Sequence, residues 1–129
     1  MSLQGRSLRE PLNRQEEKSQ VADTPLSEHD IQNLIRMELA RIGIPVYRAN
    51  VGKVRTTDGR YFDTGLPKGF PDLFGFRLDG QIFFIEVKNQ KGKVRPEQEL
   101  FIRRARQQGA LAGVARSVDD ALKIVRGSK

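Results

Sequence analysis

Cysteine is absent from this chain, and histidine occurs once, at His29. The first absence excludes a disulfide scaffold, a cysteine nucleophile, thiolate zinc sites and iron–sulfur clusters. The second excludes any multi-histidine metal site. Tryptophan is also missing, and aromatic residues make up only 7% of the 129 positions. No apolar run approaches the roughly 18–20 residues of a transmembrane helix. No charged segment followed by an apolar stretch opens the chain in the manner of a signal peptide, so a cytoplasmic location is expected. What the chain has in excess is positive charge: 23 Lys+Arg stand against 16 Asp+Glu, for a net +7. Such an excess points to a polyanionic partner, either nucleic acid or an anionic surface.

The length allows one ordinary domain and a tail. Residues 1–26 are polar, lack periodicity and balance four basic against four acidic side chains. They read as a flexible arm, and residues 27–129 as the domain. A helix is expected from Ser27 to Ile42, with Ser27 as N-cap, Asp30 as a capping-box partner and an apolar stripe through Ile31, Leu34, Ile35, Leu39 and Ile42. Val46 to Val54 reads as a strand interrupted near Gly52, and Tyr61-Phe62 pairs back after a turn at Thr57–Arg60. Strands at Asp72–Arg77 and Gln81–Asn89 flank Asp79-Gly80 in the clearest hairpin signal of the chain. A helix from Pro96 to Gln108, with Leu100, Phe101 and Ala105 as its core contact, a strand at Leu111–Ala115 and a helix at Val118–Arg126 complete the chain. The order α-β-β-β-α-β-α, with a hairpin apolar on both faces, predicts an α/β fold with a mixed sheet covered by helices on both sides.

The chemistry concentrates in Asp72, Glu86 and Lys88. Glu86 and Lys88 share one face of their strand, with Val87 on the other. Whether Asp72 joins them depends on the hairpin loop. A two-residue loop pairs Asp72 with Val87 and turns its side chain away. A three-residue Leu78-Asp79-Gly80 loop pairs Asp72 with Glu86, and it wants glycine in its third, left-handed position, where Gly80 stands. The three-residue loop is therefore preferred. Two carboxylates directly opposite repel each other. A hard divalent cation such as Mg²⁺ or Mn²⁺ removes that repulsion. Lys88 beside them can orient a water or stabilise charge developing on a phosphate. Two basic segments flank this constellation. Lys88–Arg106 holds seven Lys/Arg against two Glu, and Arg41–Lys68 holds six against two Asp. Within them Arg48, Lys53, Lys68, Lys91, Lys93 and Arg95 are candidates for phosphate contacts.

Pro71-Asp72 … Glu86-Val87-Lys88 resembles the PD-(D/E)xK motif of a nuclease superfamily. The surrounding residues are more specific. Ser27-Glu28, Tyr47-Arg48-Ala49-Asn50-Val51-Gly52, Lys68-Gly69-Phe70-Pro71-Asp72-Leu73, the Lys91-Gly92-Lys93 loop and Pro96-Glu97-Gln98 together resemble the virus-type replication–repair nuclease (VRR-NUC) domain over Leu26–Leu122. The resemblance implies a restriction-endonuclease-like core and metal-dependent cleavage of structured DNA. For small stand-alone members it implies a homodimer acting on four-way junctions. It makes Asp72 and Glu86 metal ligands, with the backbone carbonyl of Val87 as a further ligand, and Lys88 the catalytic lysine. Glu28 matches the acidic residue of the first helix and is another candidate ligand. Gln98 matches the family's glutamine at the helix after the core strands, and Asn50 falls among the DNA-contacting candidates. Two rivals remain open at this point: a nucleic-acid-binding module that has lost its chemistry, and a phage structural or assembly protein.

Overall fold

The computed structural model describes residues 25–127. The proposed arm, except for its last two residues, therefore lies outside the described residues.

Local signals set the helix ends. α1 (Glu28–Arg41) starts where the Ser27 hydroxyl accepts the Asp30 N–H at 3.1 Å and the Asp30 carboxylate accepts the Ser27 N–H at 3.3 Å. Aspartate thus closes the capping box in place of the more usual glutamate. Ile31, Ile35 and Leu39 form its buried stripe. α2 (Pro96–Gln107) has Pro96 in its first turn, where a missing N–H is harmless. α3 (Val118–Arg126) is capped by Ser117 and ends at Gly127 in the left-handed conformation.

The strands are β1 (Val46–Arg48), β2 (Lys53–Arg55), β3 (Tyr61–Asp63), β4 (Leu73–Phe76), β5 (Ile82–Val87) and β6 (Leu111–Ala115). The main sheet runs β1-β4-β5-β6. Its first two pairings are antiparallel, and β5–β6 is parallel, joined through α2. β2 and β3 form a separate two-stranded ribbon. The stretch expected as one interrupted strand is thus divided between two sheets, and the break falls at Gly52, whose φ is +77°.

β5 is covered on both faces. Phe83, Ile85 and Val87 enter the core with Ile31, Ile35 and Leu39 of α1 and Ala121 and Val125 of α3. On the other face Phe84 meets Phe70 and Phe101 edge-on, with ring centroids 5.7 and 5.2 Å apart. α2 packs differently from expectation. Ile102 is its buried residue, whereas Leu100 is 36% exposed. With Phe101 set among the rings, its neighbours lie about 100° to either side.

The hairpin register is the feature on which the site depends. Leu73 pairs with Ile85 and Phe76 with Ile82. Arg77 N–H donates to Gln81 O and Gly80 N–H to Arg77 O, both at 2.9 Å. The loop is therefore Leu78-Asp79-Gly80, with Gly80 at φ +84°. A Cβ at Gly80 would meet nothing within 4 Å, so a substitution there acts through the backbone alone. We expect Gly80→Val to lower stability by about 1–2 kcal/mol, because a β-branched residue resists positive φ. Urea unfolding measures this, and a variant as stable as wild type would contradict the loop geometry.

Candidate active site

Continued beyond β4, the register sets Asp72 opposite Glu86 and Pro71 opposite Val87. The second pairing falls at a hydrogen-bonded position of the ladder, in phase with Arg77 and Gln81. Proline has no N–H to give the Val87 carbonyl. The Val87 N–H turns to the side chain of Asp72 and donates to its Oδ2 at 2.8 Å. Proline and aspartate in sequence thus free one backbone acceptor and pin one carboxylate at the same spot.

Glu86 is 2% exposed and Lys88 6%. The Glu86 Oε2 atom accepts from Gln98 Nε2 at 3.1 Å and lies 3.6 Å from Lys88 Nζ. Its other oxygen, Oε1, is buried without a hydrogen-bond partner. Burial pushes the Glu86 carboxyl up to about 8. The negative charge of Asp72 adds to this, against the pull of Lys88. Gln98 also accepts the Arg95 N–H at 2.9 Å through its other amide atom, so one side chain both closes the α2 N-terminus and steadies Glu86. The loop before β4 is pressed onto that same helix turn. Gly69 has φ +97°, and a Cβ there would come within 2.6 Å of Glu97 O.

Asp72, Glu86 and Gln98 line a cavity of about 340 Å³, whose walls include Val51, Gly52, Lys68 and Arg95. Two of the expected phosphate contacts, Lys68 and Arg95, are thus at the site, and Lys68 Nζ is 3.7 Å from Glu97. Arg48 ends β1 and Asn50 follows it, both exposed ahead of the cavity wall, and Lys53 begins the ribbon just beyond it. Lys91 and Lys93 are exposed on the loop after β5. Glu28 comes to that loop, not to the carboxylate pair. A Cβ at Gly92 would sit 2.9 Å from Glu28 Oε2 and 3.3 Å from Lys88 Cδ. Among the described residues no group of three or more His, Asp or Glu is arranged to hold a metal.

One contributor escaped the sequence reading. Arg116 Nη1 donates to the carbonyls of Asn89 at 2.5 Å and Gly92 at 2.8 Å, clamping the basic loop beside Lys88. A lone arginine more than twenty positions downstream carries no local signal of that role.

The VRR-NUC domain model matches residues 26–119. The chain belongs to the VRR-NUC family. This is a family of nucleases, and the chain is a nuclease, a hydrolase. Two solved structures are similar to the VRR-NUC chain. One, titled "VRR_NUC domain", is 25% identical, with a TM-score of 0.56 over 79% of this chain and 97% of its own. The other, titled "VRR_NUC domain protein", is 20% identical, with a TM-score of 0.56 over 80% and 88%, and speaks to the fold alone. No curated protein matches the chain. The mixed sheet between helices expected from the sequence is the fold these structures share.

The donor set of this VRR-NUC site fits a hard divalent ion: two carboxylates, one of them with a buried oxygen that has no partner, and a carbonyl without its ladder donor. Without an ion, the site makes stability depend on pH. A carboxyl whose pKa rises from 4.5 to about 8 on folding stabilises the native state fully below about pH 4.5. That contribution falls as pH rises and is gone above about 8. In EDTA we expect wild type to lose on the order of 1–3 kcal/mol across this window relative to Glu86→Gln. Parallel pH profiles from urea unfolding of the two proteins would contradict it.

Proposed function

We propose that this chain is a Mg²⁺- or Mn²⁺-dependent DNA endonuclease that hydrolyses phosphodiester bonds in branched or otherwise structured DNA. The observation that carries the reading is the buried, partnerless Oε1 of Glu86 across from Asp72. A buried carboxylate oxygen without a partner is costly, and native proteins keep such a group where something else binds it.

Asp72, Glu86 and the carbonyl of Val87 would hold the ion. When bound, a hard divalent ion supplies positive charge for the attacked phosphate and acidity for water in the site. The remaining work falls to the chain's own residues. Lys88 brings an ammonium, held by Glu86 and shut off from bulk solvent, to orient the attacking water and meet charge on the phosphate. Gln98 keeps Glu86 in one rotamer. Lys68 and Arg95 at the cavity, with Arg48, Asn50, Lys53, Lys91 and Lys93 around it, contact the flanking phosphates and fix the duplex without reading its sequence. Glu28 acts at one remove, beside the stem of Lys88. One site cuts one strand. Cleavage of a four-way junction on both strands needs two, so the working form in this reading is a twofold homodimer.

The test is a set of labelled duplex, flap, splayed-arm and four-way substrates with Mg²⁺, Mn²⁺ or EDTA. Wild type cleaves with either ion and not in EDTA. Asp72→Asn and Glu86→Gln each reduce cleavage to background while DNA binding survives, since both keep shape and remove ligand charge. Wild-type turnover in either variant would sink the assignment of the ligands. Binding without cleavage by wild type would leave a module that has kept the fold and lost the chemistry.

A further inference from the structure

The β2–β3 ribbon adds little to the core yet carries large apolar side chains. All six of its strand residues are exposed, Tyr61 at 70% and Phe62 at 60%. Among the described residues the ribbon pairs only with itself. Three features say what these rings are for.

The first is position. Val51 and Gly52 line the cavity of Asp72 and Glu86. Both legs of the ribbon are tied there: Gly52 O accepts the Thr64 N–H at 3.0 Å, and Gly52 N–H donates to Leu66 O at 3.2 Å. Phe62, paired with Val54, stands two residues out, roughly 7 Å along the strand. The second is charge. Lys53 and Arg55 flank Val54, and among the described residues no ion pair holds either. The ribbon's acids are engaged locally, Asp58 by Arg60 and Asp63 by the Gly65 N–H. Cations interleaved with rings suit nucleotides, whose bases stack and whose phosphates need neutralising. The third is shape. Strand alternation sets Val54 and Phe62 on one face and Arg55 and Tyr61 on the other. One ring stands on each side of a two-strand blade. A second copy of the chain would meet only the small apolar pair Val54 and Phe62 on one face, and lysine, arginine and aspartate around Tyr61 on the other, whereas a blade with a ring on each side fits where two strands diverge and bases have left the stack.

We propose that this ribbon selects DNA with unpaired bases beside the cut, Phe62 and Tyr61 stacking on those bases while Lys53 and Arg55 hold the phosphates around them. The proposal rests on the nuclease reading for its role, but the contact exists without cleavage.

The experiment uses the full chain and a splayed-arm duplex with 2-aminopurine at the unpaired position next to the branch, beside a fully paired control. In EDTA, wild type quenches the 2-aminopurine by stacking. The Phe62→Ile/Tyr61→Val double variant keeps strand-favouring residues and loses the rings. Its quench disappears, and its ratio of splayed to paired affinity falls about tenfold, the scale of one or two lost base stacks. Phe62→Trp, which keeps a ring, retains both. An unchanged quench and ratio in the double variant overturns the proposal. So does loss of self-association in sedimentation with the ratio intact, which would make the ribbon a protein contact. Quenching by a wild-type chain that cleaves nothing with Mg²⁺ or Mn²⁺ supports the ribbon assignment and overturns the nuclease reading. Cleavage of splayed and paired DNA alike, unchanged by the double variant, does the reverse.

Discussion

Two carboxylates face each other across one antiparallel pair, Glu86 buried and Asp72 half-buried, and the surrounding structure is arranged around that repulsion. Asp72 is held by the Val87 N–H and Glu86 by Gln98 and Lys88, yet one Glu86 oxygen is left without a partner. Like charges directly opposite in a sheet are unfavourable even at the surface, and burial adds to the penalty. The strand can bear this because its other face is among the best-buried parts of the molecule. Phe83, Ile85 and Val87 are fully enclosed. β5 thus divides its two faces, with the odd positions stabilising the fold and the later even positions carrying the chemistry.

The even face is apolar where the chain needs packing and polar where it needs a site. Phe84 sits in a ring cluster with Phe70, Phe74 and Phe101, and Glu86 and Lys88 follow directly. That cluster anchors both the loop before β4 and α2, so Asp72 and Gln98 are both brought against Glu86. Two clamps finish the arrangement. Gly69 lets its loop touch the α2 backbone, and Arg116 holds the carbonyls of the basic loop next to Lys88. Neither clamp carries charge into the site itself, and both limit how far its walls can move.

Much of this was legible in the residues. Asp72 and Glu86 are separated by an even number of positions, and an even separation demands an odd loop if the two are to share a face. Gly80 stands where a three-residue loop needs positive φ, and the structure has that loop. Capping residues marked α1 and α3 to within a residue. What stayed hidden depends on contacts distant in sequence. Ile102 is buried and Leu100 is not, and helical periodicity alone does not choose between the two flanks of α2. The Arg116 clamp links residues on separate elements. The separation of the ribbon from the main sheet follows from a left-handed Gly52, which the reading recognised as an interruption but not as a change of sheet. Glu28 was legible as an acidic residue at the start of the first helix, but not as a neighbour of Gly92 and the Lys88 stem.

Facing carboxylates that form a cation site, strained while empty, should be stabilised by the ion alone. Thermal unfolding in EDTA and in saturating Mn²⁺, for wild type, Asp72→Asn and Glu86→Gln, tests it without DNA or turnover. The account predicts that Mn²⁺ at a hundredfold excess over Kd stabilises wild type by about 2.7 kcal/mol, or roughly 10–20 °C for a domain of this size, and leaves both variants within a few degrees of their values in EDTA. A wild-type Tm unmoved by Mn²⁺, or an equal rise in all three proteins, would contradict it.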